Sequence, residues 1–499
     1  MMRCFLLLFI VILCFSGCKD SGMNQPPRAL SYEVAVEPEM SRIRISGTVS
    51  NLRKGSYYFG LPRTQGFPPA HFVKYVAFSD AAGKLEAEVT DLGEWLISTD
   101  GPEVNFTYHI NLQQAMKYQG EAWGGATTQM DEDTAFINGS LSFMVPLIGN
   151  IATPVEMQWK LPDGWQAVTP WTANVDSMQI PSHYALVNNY YVAYKKGSMF
   201  RQRIGDLDLN TVWLGDGDIN NYPDAAASIQ KVVEAGLAFF GEDSSKEGIT
   251  LILRDSNNQN RFRASTEANS IEFNFKRGMS FDRIWKDYRD GFLRLLAHEI
   301  MHTWDRREVK EATNYLHVRE WGQDTCWIRE GFTEYFAMLN LYRAGLRDIP
   351  DFVNTMQAIS ESAAERNAKG KYTLTSACRV FFKDDDALHF VYTGGAALAF
   401  YLDMNLRHES NGEKSLPALM RNFMSTYRYK EKTIEAFVET WNAYAPPTLH
   451  TIPSHLADPR AVDISATLHA LGAERQPTRV SSRIYWQVPV SSRVHALFR

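Results

Sequence analysis

The pentapeptide His298-Glu299-Ile300-Met301-His302 constrains this chain more than any other stretch of its sequence. On a helix, residues four apart lie on one face, so the two imidazoles stand together with a carboxylate beside them. Asp290 is a candidate N-cap, and apolar residues at near-helical spacing predict a buried helix as far as Trp304. Those residues are Phe292, Leu293, Leu295, Leu296, Ile300 and Met301. Because polar groups are costly to bury without a partner, the pattern predicts a zinc site with Glu299 as its general base.

A third protein ligand must come from elsewhere, since zinc in a hydrolase takes three protein ligands and leaves a fourth position for water. Twenty-seven residues separate His302 from Glu330, and the apolar residues after Glu330 predict a second helix that packs on the first. We predict that Glu330 is the third ligand. Glu334, one turn later, is the candidate for holding the free N–H of a liganding imidazole, with a solvated helix carboxylate as the alternative. Asp305 and Glu308 are weaker candidates for the ligand, because they lie on or just past the helix of His302.

These residues, read with the segments around them, resemble the glycyl aminopeptidase family of gluzincin metallopeptidases. The segments are His298 to Asp305 and Trp327-Ile328-Arg329-Glu330-Gly331-Phe332-Thr333-Glu334-Tyr335. The long spacer between them distinguishes this family from the alanyl and membrane aminopeptidases, which use the same elements with a shorter spacer. The resemblance implies a thermolysin-like (zincin) domain that binds one zinc ion per chain and hydrolyses peptide substrates.

Two further segments extend the resemblance to most of residues 30 to 445. Val391-Tyr392-Thr393-Gly394-Gly395-Ala396 is similar to the helix that presents a Tyr to the substrate carbonyl, which implies that Tyr392 is catalytic. Without the resemblance, Tyr392 would be interpreted as a core tyrosine. Leu161-Pro162-Asp163-Gly164-Trp165 is similar to a strand and turn of the family's N-terminal domain. The chain departs from the family at Gly394, where a Lys is common, and after Pro447, where too few residues follow for a PDZ domain.

A third departure concerns recognition of the substrate. Where the family tends to have a Gly-Gly-Leu-Glu segment, this chain has Asn269-Ser270-Ile271-Glu272. A carboxylate on an edge strand near the metal would hold the substrate ammonium group by charge-assisted hydrogen bonding. We therefore predict that Glu272 binds this group, with a solvated strand glutamate as the alternative. Without the glycines, Asn269 and Ser270 are expected to narrow the first subsite and to favour small N-terminal residues such as Gly or Ala.

Three functions are compatible with these residues. The favoured one is a zinc aminopeptidase. A gluzincin endopeptidase, with a cleft open at its end, is the rival within the same class. The rival from another class is a catalytically silent surface lipoprotein that binds peptides or a partner. All the predicted catalytic and metal-binding residues are present, which argues against a protein without catalytic activity. These residues are His298, Glu299, His302, Glu330 and Tyr392.

Charge and the leader indicate where the chain acts. A net charge of −6 over 499 residues, without a basic run of five or more, argues against nucleic acid as a partner. Residues 1–17 resemble a signal peptide, because the apolar run Phe5 to Phe15 would span only about 16 Å as a helix, against about 30 Å of hydrocarbon. The run leads into Ser16-Gly17-Cys18, which resembles a bacterial lipobox, so Cys18 is predicted to be lipidated; an ordinary signal peptide is the alternative. With a tether over residues 18–29, this predicts a lipid anchor in the cell envelope.

The rest of the chain divides into three parts and predicts a multidomain α+β fold. Strand-like alternation over residues 30–205 predicts a β-sandwich-like N-terminal domain. Residues 206–445 begin with a predicted strand at Gly248 to Leu253 and continue with helical patterns, as expected for a mainly helical zincin catalytic domain. Residues 446–499 form a C-terminal tail. The sequence leaves the oligomeric state open.

Two cysteines, Cys326 and Cys378, follow the predicted lipidation site. In an oxidising compartment they could pair, and a bridge at Cys326 would steady the segment that contains Glu330. Because the sequence does not supply the distance between them, two buried free thiols are the favoured interpretation.

Overall fold

The structure is a computed structural model of the chain, and it describes residues 29–497 apart from several gaps. The gaps are 63–68, 116–126, 148–152, 173–175, 241–247, 257–261, 308–320, 323, 382, 428–429, 459, 478–483 and 490. The predicted signal peptide, Cys18 and nearly all of the tether therefore lie outside the described residues. Within the described ranges, no helix is both long enough and apolar enough to cross a membrane.

Two sheets facing each other form the first part of the N-terminal domain. The larger has the order β14-β12-β1-β2-β8-β4-β5 and contains β1 (Leu30–Glu37), β2 (Arg42–Val49), β4 (Val73–Asp80), β5 (Gly83–Leu85), β8 (Val104–Ile110), β12 (Val155–Lys160) and β14 (Ser177–Ile180). The smaller has the order β11-β3-β7-β6 and contains β3 (Gly55–Gly60), β6 (Ala87–Val89), β7 (Trp95–Thr99) and β11 (Val145–Pro146). Alternate residues of their strands enter one shared core, where the ring centroids of Phe59 and Phe78 lie 5.0 Å apart. The predicted sandwich-like domain is therefore confirmed.

A third sheet joins this sandwich to the rest of the chain. It has the order β13-β15-β10-β9 and contains β9 (Gln129–Met130), β10 (Thr134–Asn138), β13 (Gln166–Val168) and β15 (Tyr190–Tyr194). Every residue of β15 is buried. Tyr191 and Ala193 belong to the sandwich core, whereas Tyr190, Val192 and Tyr194 pack against strands of the catalytic domain. Both faces of this sheet are thus covered, one by each domain.

A five-stranded sheet of order β16-β17-β18-β20-β19 begins the catalytic domain. Its strands are β16 (Ser198–Ile204), β17 (Leu207–Leu214), β18 (Ile249–Ser256), β19 (Arg263–Thr266) and β20 (Ser270–Lys276). The three inner strands run parallel, and β16 and β19 are antiparallel edges. The domain boundary predicted at residue 205 is wrong, because β16 is hydrogen-bonded to β17 and belongs to this sheet. The boundary falls before Ser198.

Helices form most of the remaining chain. The N-terminal domain contains α1 (Gly139–Ser142), α2 (His183–Val187) and the 3-10 helices Pro38–Met40 and Pro69–His71. The catalytic domain contains α3 (Pro223–Phe240), α4 (Phe281–Asp287), α5 (Arg289–Arg307), a π-helix (Trp327–Phe332), α6 (Thr333–Arg343), α7 (Ile349–Arg366), α8 (Leu374–Val380), α9 (Asp385–Glu409), α10 (Leu416–Thr426), α11 (Ile434–Tyr444) and the 3-10 helix Ile219–Asn221. The β-rich domain followed by a mainly helical domain confirms the predicted α+β class.

The C-terminal segment packs on the catalytic domain. It contains the 3-10 helix Pro447–Leu449, α12 (Ile452–Ala457), α13 (Ser465–Ala470), α14 (Arg493–Leu497) and the hairpin β21 (Glu474–Pro477) and β22 (Ile484–Gln487). Its buried side chains, among them Ile452, Leu468 and Trp486, join the same hydrophobic core as α5 and the π-helix. The described residues of this predicted tail are therefore part of the catalytic domain.

Candidate active site

Helix α5 holds both histidines of the pentapeptide close together. Phe292, Leu296 and Ile300 of this helix are buried in the core, which fixes the rotation of the helix about its axis. His298 and His302 are 4% and 8% exposed, and their Nε2 atoms lie 3.1 Å apart. Two ring nitrogens one helical turn apart thus meet at a single point.

The π-helix brings Glu330 to the same point. Its Oε2 lies 3.5 Å from Nε2 of His298 and 3.2 Å from Nε2 of His302. The three ligand atoms all lie within 4.8 Å of one another. Two imidazole nitrogens and one carboxylate oxygen form a ligand set that zinc accepts, and a short π-helical turn is common at functional sites. The residues present therefore fit a zinc ion.

Glu334 and Arg294 hold the ring of His298 from the other side. Nδ1 of His298 lies 3.1 Å from Oε2 of Glu334, and Nε of Arg294 donates to Oε1 of Glu334 at 2.5 Å. Burial raises the pKa of Glu334, but Arg294 and His298 outweigh burial and lower this pKa to about 2. With a metal bound, the His298 ring would keep its proton on Nδ1, facing Glu334, and would present the lone pair of Nε2 to the site. The sequence interpretation missed Arg294, although its position one turn before His298 on the same helix was a usable signal.

The surrounding carboxylates favour positive charge where the ligand atoms meet. Burial by itself lowers the pKa of His298, yet hydrogen bonds with Glu330 and Glu334 raise it to about 10. The nearby carboxylate of Glu299 adds to this effect. A buried site that stabilises an imidazolium in this way also suits a divalent cation, because the cation supplies compensating charge to the same carboxylates.

Two glycines allow the π-helix and α9 to pack closely, and this contact sets the position of Tyr392. A Cβ atom on Gly331 would lie 2.5 Å from Cα of Gly395, and one on Gly395 would lie 2.6 Å from the carbonyl oxygen of Trp327. Neither position can hold a larger residue unless a helix backbone moves. Glu330 directly precedes Gly331, and Tyr392 lies one turn before Gly395, so the crossing determines how far apart these two side chains lie.

Tyr392 lies beside the metal-ligand group. Its ring centroid is 5.6 Å from that of His298, and it stacks on Phe381 at 5.9 Å. Burial, together with the carboxylates of Glu330 and Glu299, raises the pKa of Tyr392 well above its usual value. The phenol therefore keeps its proton and can act as a hydrogen-bond donor.

The carboxylate of Glu299 is held by the edge strand β19. Oγ1 of Thr266 lies 2.5 Å from Oε2 of Glu299 and 3.2 Å from its backbone oxygen. Both residues are buried. The sequence interpretation missed Thr266, since no motif marks it and the contact joins residues 33 positions apart.

The edge-strand position predicted for Glu272 is wrong. Glu272 lies on β20, which is hydrogen-bonded to β18 on one side and to β19 on the other. The residue is 0% exposed, and its carboxylate accepts hydrogen bonds from Arg254 and Asn274. Arg254 also donates to Gln129 at 2.7 Å and lies over the ring of Phe136. Glu272 therefore faces the N-terminal domain, on the face of the sheet opposite to α5.

Asn269 and Ser270 are also buried between the domains. The backbone N–H of Asn269 donates to Oδ1 of Asn189 at 2.8 Å, and Oγ of Ser270 donates to the same atom at 3.2 Å. Oγ of Ser270 also accepts from the backbone N–H of Tyr190 at 2.7 Å. The expectation that these residues narrow a substrate subsite is therefore wrong, because they anchor the turn after β19 to the N-terminal domain.

Cys326 and Cys378 form a disulfide, with their Cα atoms 5.5 Å apart. The favoured interpretation of two free thiols is therefore wrong, because α8 folds back beside the π-helix and brings together residues 52 positions apart. Cys326 directly precedes the π-helix that contains Glu330. An ion pair between Arg379 and Asp324, at 2.9 Å, lies next to the bridge.

Comparison with known proteins agrees with this architecture. Residues 291–394 match the model of the M61 glycyl aminopeptidase family, and residues 31–193 match that of the Peptidase M61 N-terminal domain. The fold and the site thus define a peptidase. More specifically, the chain belongs to the M61 glycyl aminopeptidase family.

One solved structure has a similar fold over most of this chain. It is that of an aminopeptidase N family protein from Idiomarina loihiensis, which matches with a TM-score of 0.72 and 15% sequence identity. The match covers 90% of this chain and 79% of that protein. At this identity the likeness concerns the fold. No curated protein matches the chain by sequence.

Proposed function

We propose that this chain is a zinc-dependent aminopeptidase that releases small N-terminal residues such as Gly and Ala from peptides. One zinc ion per chain would be held by His298, His302 and Glu330. The observation that supports this most strongly is the convergence of their three ligand atoms beside Glu299 and Tyr392. The preference for a small N-terminal residue is supported by the family to which the chain belongs.

Each residue around the metal ligands has a separate role in the proposed mechanism. Zinc, when bound, supplies the Lewis acidity that makes water a nucleophile near neutral pH. Glu299 accepts the proton of the attacking water and delivers it to the leaving amine. Tyr392 donates a hydrogen bond to the oxygen of the scissile carbonyl as charge develops there, a contribution of about 2.7–4 kcal/mol for comparable donors. Glu334 keeps the His298 ring in its liganding orientation.

A gluzincin endopeptidase is the second candidate, and the position of Glu272 favours it. The residues of β19 are Arg263, Ala264, Ser265 and Thr266, and the nearest carboxylate in the sequence, Glu267, lies in the turn that follows and is 6% exposed. Glu272, from which the sequence argument drew its ammonium site, is hydrogen-bonded to Arg254 on the other face of the sheet. A substrate whose N-terminus lies far from the scissile bond, or is blocked, would not need such a carboxylate. A catalytically silent peptide-binding lipoprotein is the least supported alternative, because Glu299 and Tyr392 both lie at the metal-ligand group.

One experiment separates these functions. Purified protein is analysed for zinc and then assayed on a free-amine peptide and on its N-acetylated twin. An aminopeptidase contains about one zinc per chain and cuts only the free-amine peptide, whereas an endopeptidase cuts both. Glu299→Gln should keep the metal and lose turnover, because only the proton acceptor is removed. Zinc-loaded protein that cuts neither peptide, nor any longer one, would establish the silent alternative.

We also propose that the enzyme works in a bacterial cell envelope, anchored by lipid at Cys18, on peptide substrates rather than nucleic acid. The support is the short apolar leader that ends at Cys18 and the absence of a strong positive charge.

A further inference from the structure

We infer that Thr266 is the positioning residue for the catalytic carboxylate, and this inference rests on the proposed role of Glu299 as general base. Thr266 lies at the end of β19 and is only 3% exposed. Its hydroxyl reaches both Oε2 of Glu299, at 2.5 Å, and the backbone oxygen of the same residue, at 3.2 Å. The hydroxyl has one proton, and a carboxylate is the stronger acceptor. Thr266 therefore donates to Oε2.

This hydrogen bond limits how the Glu299 carboxylate can turn. The last torsion of a glutamate side chain is broad, so a free carboxylate samples many orientations. With Oε2 held by Thr266, that rotation is lost and Oε1 is left to accept the proton of the attacking water. A base that is already oriented gives up little entropy in the transition state.

The strand that holds Thr266 is itself fixed by the N-terminal domain. Thr266 pairs with Ile271 across the β19–β20 hairpin. In the turn of that hairpin, the N–H of Ala268 donates to the carbonyl of Asn188 at 2.9 Å, and the N–H of Asn269 donates to Oδ1 of Asn189 at 2.8 Å. The branched threonine side chain has few rotamers of its own. The orientation of the base thus depends on contacts that cross from one domain to the other.

The neighbouring residue provides a matched control. Ser265 lies on the same strand, and its hydroxyl bonds that of Tyr190 at 2.6 Å. Because successive residues of a strand face opposite sides, Ser265 turns toward the N-terminal domain rather than toward Glu299. Ser265→Ala therefore removes a partly buried hydroxyl of the same hairpin without touching the base.

The test compares Thr266→Val, Thr266→Ser and Ser265→Ala in zinc-loaded enzyme. Thr266→Val should lower kcat about 10- to 100-fold, the cost typical of losing a hydrogen-bond partner that orients a side chain at a metal site, with KM and zinc content unchanged. Thr266→Ser should restore most of kcat, and Ser265→Ala should leave it near the wild-type value. A second measurement is binding of alanine hydroxamate by calorimetry, because this inhibitor also gives a proton to the base. Its affinity should fall in Thr266→Val, but not further when Thr266→Val is added to Glu299→Gln.

Unchanged kcat and hydroxamate affinity in Thr266→Val would overturn the inference. So would equal losses in Thr266→Val and Ser265→Ala, since these would indicate a purely structural role for the hairpin. If Glu299→Gln itself kept its turnover, the proposed function would fail. If Glu299→Gln were inactive and Thr266→Val fully active, only the role of Thr266 would fail.

Discussion

Among single residues, Glu330 and Glu334 show how two carboxylates one helical turn apart acquire different tasks. Oε2 of Glu330 lies within 3.5 Å of Nε2 of both histidines, so it shares the point where a metal would sit. Glu334 contacts His298 at Nδ1 and is held by Arg294. Its effect on a metal is therefore exerted through the imidazole, whose orientation and basicity it sets.

The two glutamates should differ sharply in a zinc titration. We expect Glu330→Ala to lose zinc at one equivalent, because a direct ligand is gone. Glu334→Ala should keep zinc with an affinity lower by about 10- to 100-fold, and Glu334→Gln, which keeps an acceptor for Nδ1, should lose less. Competition with a chromophoric chelator measures all three. Full zinc binding in Glu330→Ala, together with its loss in Asp305→Ala, would contradict the assignment.

At the scale of elements, the crossing of the π-helix and α9 determines the site. The backbones meet at Gly331 and Gly395, where no side chain fits. The side chains on either side of this contact, Glu330 and Tyr392, come together because the helices can approach this closely. Glycine is required at these two positions because the helices pack closely, and not because the backbone makes a turn there.

Gly395→Ala should therefore damage both stability and activity. The added methyl would lie 2.6 Å from the carbonyl oxygen of Trp327, and overpacking of this kind costs about 1–3 kcal/mol. Gly291→Ala on helix α5 is the control, because nothing lies within 4 Å of its Cβ position, and it should be stabilising by about 0.5–1 kcal/mol. Chemical denaturation and zinc content give the readouts. The interpretation fails if Gly395→Ala keeps wild-type stability and activity.

The disulfide between Cys326 and Cys378 is the second structural feature at the scale of elements. It closes a loop between residues 52 positions apart, for which the chain-entropy model predicts a stabilisation of about 4 kcal/mol. The double variant Cys326→Ser/Cys378→Ser should unfold at lower denaturant and bind zinc more weakly, because the π-helix with Glu330 loses its tie to α8. Dithiothreitol should affect the wild type and not the variant. Equal sensitivity of both proteins to the reductant would exclude the bridge as the cause.

For the whole molecule, the central sheet β13-β15-β10-β9 makes the two domains depend on each other. Its residues enter the sandwich core on one face and contact the catalytic sheet on the other. Polar contacts follow the same interface, including that between Arg254 and Gln129. The N-terminal domain therefore supports the strands behind the site, in addition to linking the catalytic domain to the predicted anchor.

The anchor is tested in cells. Radiolabelled fatty acid should enter the wild type and not Cys18→Ser, because the thiol is the predicted site of lipidation. If still exported, the variant should move from the membrane to the soluble fraction, because the proposed lipid is what holds the protein at the membrane. Membrane association that persists unchanged in Cys18→Ser would contradict lipidation at this residue.

The sequence by itself determined what depends on local spacing. The i, i+4 pair of His298 and His302 meets on one helix face, and alternation in the N-terminal half predicts strands, because both periodicities belong to the backbone. The sequence around Glu330 also predicted it as the third ligand, and the family resemblance added Tyr392; the structure brings both to the histidines. Strand order is not a local property, and for that reason only the tertiary structure could show that Glu272 is interior and that Thr266 holds Glu299.

The same reason applies to the two cysteines. Whether Cys326 and Cys378 meet depends on how α8 returns to the π-helix, and no periodicity between these positions encodes that path. The domain boundary and the place of the C-terminal segment were likewise decided by packing, since β16 joins a sheet and the tail joins a core. Local patterns specified the elements and the chemistry of the motif. Contacts between distant parts of the chain specified which side chains surround it.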